Sequence, residues 1–203
     1  MYVEPSINSI LTITLLNEQQ LIIALQQKAE PAFARLVADY QPMVYNTVLG
    51  LLQHAQDAED IAQEVFIQVY QSISSFKGES KLSTWIYRIA ITKSLDWIKH
   101  RQRKKRFGFI TGIFGGSDEP ANDIADFHHP GVQLANKERA AMLFKAIQQL
   151  PENQRIAFVL QKTEGLGQQE IAAIMNQTEG AVESLLQRAK QNLRKTLQTY
   201  YQA

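Results

Sequence analysis

The 203-residue chain contains no cysteine, only four histidines and only two tryptophans. The absence of cysteine excludes disulfides and cysteine-ligated zinc, and it is compatible with a reducing, intracellular environment. Two of the histidines are the neighbours His128 and His129, so no histidine metal cluster is expected. We therefore predict neither a bound metal nor another cofactor.

The N-terminal stretch MYVEPSINSILTITLLNEQQ is mildly apolar, but it lacks a basic start and is interrupted at Asn17 and Glu18. A signal peptide begins with positive charge, and a transmembrane helix needs about 20 mostly apolar residues. We expect neither feature, no insertion into a membrane, and a cytoplasmic protein.

Charge is distributed in blocks, although the formal net charge is only +1. Residues 1–98 carry a net charge of −4, residues 99–106 (KHRQRKKR) carry +6, residues 107–136 carry −4, and residues 137–203 carry +3. A protein that coats nucleic acid uniformly would not show this alternation. The pattern favours one acidic surface for a protein partner and two basic surfaces for nucleic acid.

Apolar residues recur at helical spacing, and alternating strand patterns are nearly absent. We predict an all-α protein of two small helical domains joined by a linker, the C-terminal domain containing a helix-turn-helix. Predicted starts include a capping Asp57 and a capping Ser83, and Pro42 is expected to begin a new helical segment. The predicted boundaries are an N-terminal extension 1–17, a helical domain 18–106, a linker 107–135 and a helix-turn-helix domain 136–203.

The C-terminal stretch EIAAIMNQTEGAVESLLQRAK indicates two short helices around a tight turn at Asn176. Asn tolerates the left-handed backbone that such a turn needs, and Thr178 can cap the second helix. The second helix of this motif commonly enters the major groove of DNA. From spacing alone, a solvated helical hairpin is an equally good interpretation.

Two further stretches have functional and structural interpretations. KHRQRKKR extends an amphipathic helix that contains Trp85 and Trp97, and basic residues beside aromatic ones suit a phosphate track next to unstacked bases. Core packing is the simpler explanation for either tryptophan. DAEDIAQEVFIQVYQSI, residues 57–73, places acids on one helical face, which is either solvated or bound to a basic protein surface.

These stretches together resemble a known family. Asp57 to Phe76, followed by KGESKLSTWIYRIAITKSLDWIKHRQRK, resembles the second conserved region of bacterial sigma factors. LPENQRIAFVLQKTEGLGQQEIAAIMNQTEGAVESLLQRAKQNLRK resembles the fourth region. Two such regions with only a linker between them are the layout of the extracytoplasmic-function (ECF) group, and the resemblance covers roughly residues 20–104 and 136–198.

The resemblance implies a non-enzymatic subunit that binds core RNA polymerase and directs promoter-specific initiation. The residues implied to contact the β′ coiled coil of the polymerase are Asp57, Asp60, Glu64 and Gln68. Those implied at the minus-ten element are Lys77, Ser80, Lys81, Ser83, Thr84, Arg88, Thr92, Lys93, Asp96, Lys99, Arg101 and Arg103. Those implied at the minus-thirty-five element are Thr178, Glu183, Ser184, Gln187, Arg188, Gln191, Arg194 and Lys195. The C-terminal domain would also pack near the β flap, and an anti-sigma factor, in many relatives membrane-anchored, is the expected regulator.

Glu183 departs from the family pattern, because Lys or Arg is frequent at that position. A glutamate on a major-groove helix can accept a hydrogen bond from cytosine N4 and disfavours close phosphate approach, so it would favour selectivity over affinity. No pair of carboxylates and no nucleophile beside a base predicts catalysis. The alternatives are a stand-alone helix-turn-helix regulator that acts without polymerase and a helical interaction adaptor. The stand-alone regulator would explain the C-terminus but not the helix from Asp57 to Phe76.

Overall fold

The computed structural model describes residues 17–111 and 134–201, with side chains described for 17–104 and 141–198. All regular structure in these ranges is helical, which confirms the all-α prediction. The helices are α1 Glu18–Gln26, α2 Glu30–Leu52, α3 Ala55–Ser72, α4 Leu82–Thr111, α5 Leu134–Gln148, α6 Glu152–Lys162, α7 Gln168–Met175 and α8 Glu179–Tyr201, and a 3-10 turn, Ile73–Ser75, follows α3. Residues 1–16 of the predicted extension and 112–133 of the predicted linker lie outside the described residues.

The N-terminal half is built on mutual packing of α2, α3 and α4, with α1 against α2 and the 3-10 turn. An apolar stripe that runs along α3 and continues through the turn after it is buried, namely Ile61, Val65, Val69, Ile73 and Phe76. From α4, Leu82, Ile86 and Ala90 enter the same core. Because apolar residues at i and i+4 lie on one face of a helix, the opposite face of α3 stays exposed for a partner.

The expectation of a new segment after Pro42 was wrong, since α2 runs through that residue without interruption. Proline removes one backbone donor and crowds the preceding turn, at a cost of about 3 kcal/mol. Val44, Val48 and Leu51 are buried immediately after it and hold the second half of α2 in line with the first. Tertiary packing here outweighs the local preference.

Two predicted helix caps were also wrong. Helix α3 begins before Asp57: its N-cap is His54, whose Nδ1 accepts a hydrogen bond from the Asp57 backbone N–H at 3.2 Å. Helix α4 begins at Leu82 rather than after Ser83. The Leu82 N–H donates to the carboxylate of Glu18 at 2.9 Å, so α1 supplies the acceptor that α4 lacks locally.

We expect Glu18→Ala to lower the free energy of unfolding by about 1–2 kcal/mol, because the partly buried Leu82 N–H loses a charged acceptor. Glu18→Gln keeps an acceptor oxygen and should lose about half as much. Chemical denaturation of the three proteins measures the difference. Equal stability of the alanine variant and the wild type would show that water replaces Glu18 at no cost.

The C-terminal half places α6, α7 and α8 around a second core, with α5 against α8. Val182, Leu186, Ala189 and Leu193 form the buried face of α8. Leu150 and Pro151 lie between two helices, since α5 ends at Gln148 and α6 starts at Glu152. This core packs the two helices of the helix-turn-helix, α7 and α8, against each other and against α6.

The two halves also touch each other, an arrangement that the sequence left open. Helix α4 packs against α7, and α2 packs against α6. Leu51, Tyr87 and Ile91 from the N-terminal half belong to the apolar cluster of the C-terminal half.

Candidate functional site

The helix-turn-helix is shaped by the residues that end α7 and cap α8. Asn176 ends α7 with a left-handed backbone, φ 53°, which confirms the predicted role of this residue. The Thr178 hydroxyl accepts a hydrogen bond from the Ala181 N–H at 3.2 Å, so the predicted cap of α8 is also confirmed. Gly167, at the start of α7, donates its N–H to the Glu170 carboxylate at 3.2 Å. Asn176 and Thr178 thus define the end of α7 and the start of α8, and Glu170 caps the start of α7.

The predicted minus-thirty-five residues share one property: all are exposed, with α8 presenting a polar surface opposite its buried stripe. The set is Thr178, Glu183, Ser184, Gln187, Arg188, Gln191, Arg194 and Lys195. Ser184 donates its hydroxyl to the Gly180 carbonyl at 2.9 Å, so its side chain is turned toward its own helix. Among the described residues, Glu183 and Arg188 have no ion-pair partner, so both side chains can bind an external group.

The acidic face of α3 lies beside the basic residues of α4. Glu64 pairs with Lys93 at 3.3 Å, and Asp57 pairs with Arg101 at 3.3 Å. Asp60 is exposed and forms no ion pair with any described residue. The fourth predicted polymerase contact, Gln68, is partly buried. Since Asp57 and Glu64 are already engaged by cations, Asp60 is the carboxylate best placed to bind a basic partner.

The predicted minus-ten residues divide into a loop and one long helix. Lys77, Ser80 and Lys81 lie in the loop before α4, and Ser83 and Thr84 lie in its first turn. The remaining members follow along α4: Arg88, Thr92, Lys93, Asp96, Lys99, Arg101 and Arg103. Thr84 is only 8% exposed, so its side chain is not available to DNA in this arrangement.

An open groove of about 670 Å³ lies between α3 and α4, and it was not predicted from the sequence. Trp85, Ile89 and Trp97 line it together with predicted site residues such as Glu64 and Lys93. His100, which was not predicted as a site residue, lies at its end. The groove residues of α4 recur every three or four positions in the sequence, which places their side chains on one face of the helix. This spacing is the sequence pattern from which a shared surface could have been predicted.

Trp85 and Trp97 in this groove are partly buried, so each packs against the core and also keeps some surface in the groove. Trp85 packs on Phe76 with ring centroids 5.0 Å apart. The Arg101 guanidinium lies 5.0 Å from the Trp97 ring centroid, a cation–π contact that orients the basic end of α4. The result is an apolar surface bordered by cations.

Three predicted minus-ten residues face the C-terminal half. Arg88 donates from Nη2 to the Ala173 carbonyl at 2.6 Å and from Nε to the Ile174 carbonyl at 3.2 Å, both at the C-terminal end of α7. Lys81 lies 4.0 Å from Glu170, and Lys99 lies 3.8 Å from Glu152. Both of these lysine pairs are solvent-exposed, so they contribute little to stability.

Helices of the described segments are all too short or too polar to cross a membrane. Residues 17–111 and 134–201 contain no group of three or more His, Asp or Glu side chains that could hold a metal ion.

Known proteins share both halves of this architecture. The sequence profile of sigma-70 region 2 matches residues 36–104, and that of sigma-70 region 4 matches residues 134–193. The RNA polymerase sigma-H factor of Pseudomonas aeruginosa is 34% identical over 181 residues, which cover 89% of this chain and 94% of that protein. The ECF RNA polymerase sigma-E factor of Escherichia coli K12 is 31% identical over 176 residues, which cover 87% of this chain and 92% of that protein.

Solved structures agree in fold. CnrH in complex with the cytosolic domain of CnrY has a TM-score of 0.64 and 19% identity, covering 90% of this chain and 97% of that one. The sigma factor RpoE of Bartonella quintana, in complex with the anti-sigma factor NepR, has a TM-score of 0.60 and 23% identity, covering 82% and 96%.

The chain belongs to the sigma-70 family, in its ECF group, and is a sigma factor that directs transcription initiation by RNA polymerase. Sigma factors are transcription initiation factors and not enzymes. A stand-alone helix-turn-helix regulator is not favoured, because such a protein has no use for a sigma-70 region 2, which this chain contains at residues 36–104.

Proposed function

We propose that α3 binds the β′ coiled coil of core RNA polymerase, that the loop 77–84 and α4 bind the minus-ten element, and that α8 binds the minus-thirty-five element. The observation that carries this proposal is the exposed Asp60 on one half, which forms no ion pair with a described residue, together with the exposed polar face of α8 on the other. In this division residues 18–106 and 136–203 act as the two functional domains. The protein acts in the cytoplasm, by binding alone and without enzymatic activity.

At the upstream element, α8 lies in the major groove. Glu183, Ser184, Gln187 and Arg188 meet base edges or phosphates, and Arg194 and Lys195 help to hold the DNA backbone. Phosphate contacts supply affinity at any sequence, whereas base-edge contacts supply discrimination. Packing of this half near the β flap places it at the upstream promoter element.

At the downstream element, one or more bases leave the stack and are held by the loop 77–84. Extruding a base costs a few kcal/mol, which new contacts to the loop and to the basic side of α4 offset. The exposed cations Arg101 and Arg103 then follow the phosphates of the separated strand.

Regulation by an anti-sigma factor, which can be membrane-anchored, completes the proposal. Support comes from the relative of similar fold that was solved with the anti-sigma factor NepR.

Affinity measurements with purified core RNA polymerase test this function. The full-length chain should bind core polymerase tightly, and promoter-specific DNA binding should require the complex. Sequence-specific DNA binding by the chain alone, with no affinity for core polymerase, would instead support a stand-alone regulator.

Glu183→Lys should change which minus-thirty-five sequence is preferred, because the carboxylate that accepts from cytosine N4 becomes a cation that favours guanine O6 and N7. Selection of bound sequences from a randomised upstream element measures this change. Lys190→Glu, an exposed charge reversal on the same helix, is the control and should leave the preferred sequence unaltered. If Glu183→Lys raised the affinity for every DNA sequence equally, Glu183 would only repel the DNA phosphates and would not take part in sequence selection.

A further inference from the structure

The N-terminal half keeps an exposed apolar surface on α1 and α3. Among the described side chains, the large apolar ones that are exposed are Ile23, Ile67, Tyr70 and Leu143. Leu143 lies on α5, whereas Ile67 and Tyr70 are three residues apart on α3 and therefore lie side by side on that helix. Single exposed apolar residues are common on protein surfaces, but a group of them marks a contact.

Ile23 belongs with the two side chains of α3, because the side of α1 that carries it faces the end of α3. Gln26 lies about 60° around α1 from Ile23, and its Nε2 donates to the carbonyl of Phe76 at 2.9 Å. Just after α1, Lys28 Nζ donates to the Tyr70 carbonyl and lies 4.2 Å from the Tyr70 ring centroid. The three exposed side chains thus surround the junction of α1 with the end of α3. They form the apolar patch: Ile23, Ile67 and Tyr70.

The apolar patch continues the face of α3 that carries Asp60. Ile67 is seven residues after Asp60, which brings it to within about 20° of the same direction around the helix. The Tyr70 ring packs edge-on against Phe33, with centroids 5.1 Å apart, so its position is set by its neighbours although 43% of the residue is exposed. A side chain that is already ordered loses little entropy when an occupant covers it.

Residues 1–16, which lie outside the described residues, have the composition of such an occupant. Nine of these sixteen residues are apolar, and Glu4 is the one charged residue among them. They join the fold at Asn17, the N-cap of α1, whose backbone is extended. Ile23 lies only about 9 Å further along α1. A tethered segment is present at high effective concentration, so weak apolar contacts suffice to hold it on a nearby surface.

We propose that residues 1–16 pack on the apolar patch in the free protein and compete there with core RNA polymerase. The competition rests on the proposed function, from which it takes the role of the Asp60 face. A polymerase that covers this face displaces the segment from Ile67 and Tyr70. The affinity of the free protein for core polymerase is then lowered by the fraction of molecules in which the segment is bound to the patch.

Two variants weaken the contact from its two sides. Deletion of residues 2–16 removes the occupant and keeps the Asn17 cap of α1. Ile23→Ser removes an apolar contact from the part of the patch that lies on α1, away from the α3 face. Leu143→Ser is the matched control, because it makes a similar change at an exposed apolar residue outside the patch. Each variant should keep a cooperative thermal unfolding transition, followed by circular dichroism.

Docking is measured in the full-length chain without polymerase. Because the chain has no cysteine, spin labels at Ser9→Cys and at Glu59→Cys report the distance from the segment to α3. Glu59 is exposed and lies outside the patch, so its label does not block the contact. We expect one narrow distance with otherwise wild-type sequence, a broad distribution with Ile23→Ser, and no change with Leu143→Ser.

Competition is measured by titrating each protein with core polymerase. Deletion of residues 2–16 should tighten binding by about threefold to tenfold, because no molecules are then occupied by the segment. Ile23→Ser should tighten binding by a smaller factor, and Leu143→Ser should leave it unchanged. The fluorescence of anilinonaphthalene sulfonate, a dye that binds exposed apolar surface, should rise on deletion.

A broad distance in the wild type, or deletion that leaves binding to core polymerase unchanged or weaker, would overturn the proposal. A wild type that sediments as a dimer, and becomes a monomer with Ile23→Ser, would make a second copy the occupant and also overturn it. If neither the wild type nor the deletion variant bound core polymerase, the proposed function would fail. The distance measurement needs no polymerase, so it decides docking separately.

Discussion

Replacing Asp60 with lysine is expected to weaken binding to core RNA polymerase by about one to two orders of magnitude. Asp60 is exposed on α3 and has no ion-pair partner among the described residues, so its carboxylate is available to a cation on the partner. Reversing it removes one favourable charge contact and introduces a repulsive one, which together cost about 1.5–3 kcal/mol in a complementary interface. Titration of labelled full-length protein with core polymerase measures the loss.

Glu59→Lys provides the matched control, because Glu59 is also exposed, lies one residue away and undergoes the same change of charge. One residue along a helix is a rotation of about 100°, so Glu59 lies on a different face of α3. Its reversal should alter affinity for core polymerase by less than about threefold. Equal losses from the two variants would show that net charge, and not the Asp60 face, determines binding.

Arg188→Ala is expected to lower occupancy of the preferred minus-thirty-five sequence by about tenfold to a hundredfold. Arg188 is exposed on α8 and forms no ion pair with a described residue. A bidentate arginine–guanine contact in the major groove contributes about 1–3 kcal/mol of discrimination. The holoenzyme should also lose preference at one base position, which competition between single-base promoter variants measures.

Lys190→Ala removes the same charge from the same helix, about 200° around the axis from Arg188. We expect it to weaken binding to all sequences slightly and equally, as loss of a phosphate contact does. If Arg188→Ala behaved in the same way, Arg188 would be a phosphate contact without a role in sequence selection. Neither variant should change affinity for core polymerase, which separates this surface from that of Asp60.

Much of the fold could be predicted from local patterns. The i, i+4 stripe from Ile61 to Phe76 and the buried face of α8 follow directly from helical spacing. Asn176 and Thr178 were predictable because their roles depend on backbone groups within a few residues. Contacts distant in sequence were not predictable in this way. Glu18 caps α4 from 64 residues away, and α2 continues through Pro42 because of packing that no local pattern encodes.

For the candidate binding surfaces, too, contacts between residues distant in sequence could not be predicted. The residue sets on α3, α4 and α8 came from resemblance, and most of them are exposed as such roles require. Their pairing did not follow from the sequence: Lys93 with Glu64, Arg101 with Asp57, and Arg88 with the end of α7. No local pattern distinguishes Gly50 from other helical residues, yet a Cβ atom there would lie 2.7 Å from Val159 Cγ1 on α6. Long-range placement thus determines which predicted residues are free to bind partners.

Transcription by purified core RNA polymerase and the full-length chain on a promoter library tests the central claim most directly. We predict transcripts that begin downstream of a two-part promoter, with initiation lost when either the minus-ten or the minus-thirty-five element is randomised. The same library should give no specific transcripts with core polymerase alone or with Asp60→Lys at limiting concentration. Initiation that ignores both elements, or no initiation at all, would contradict the account.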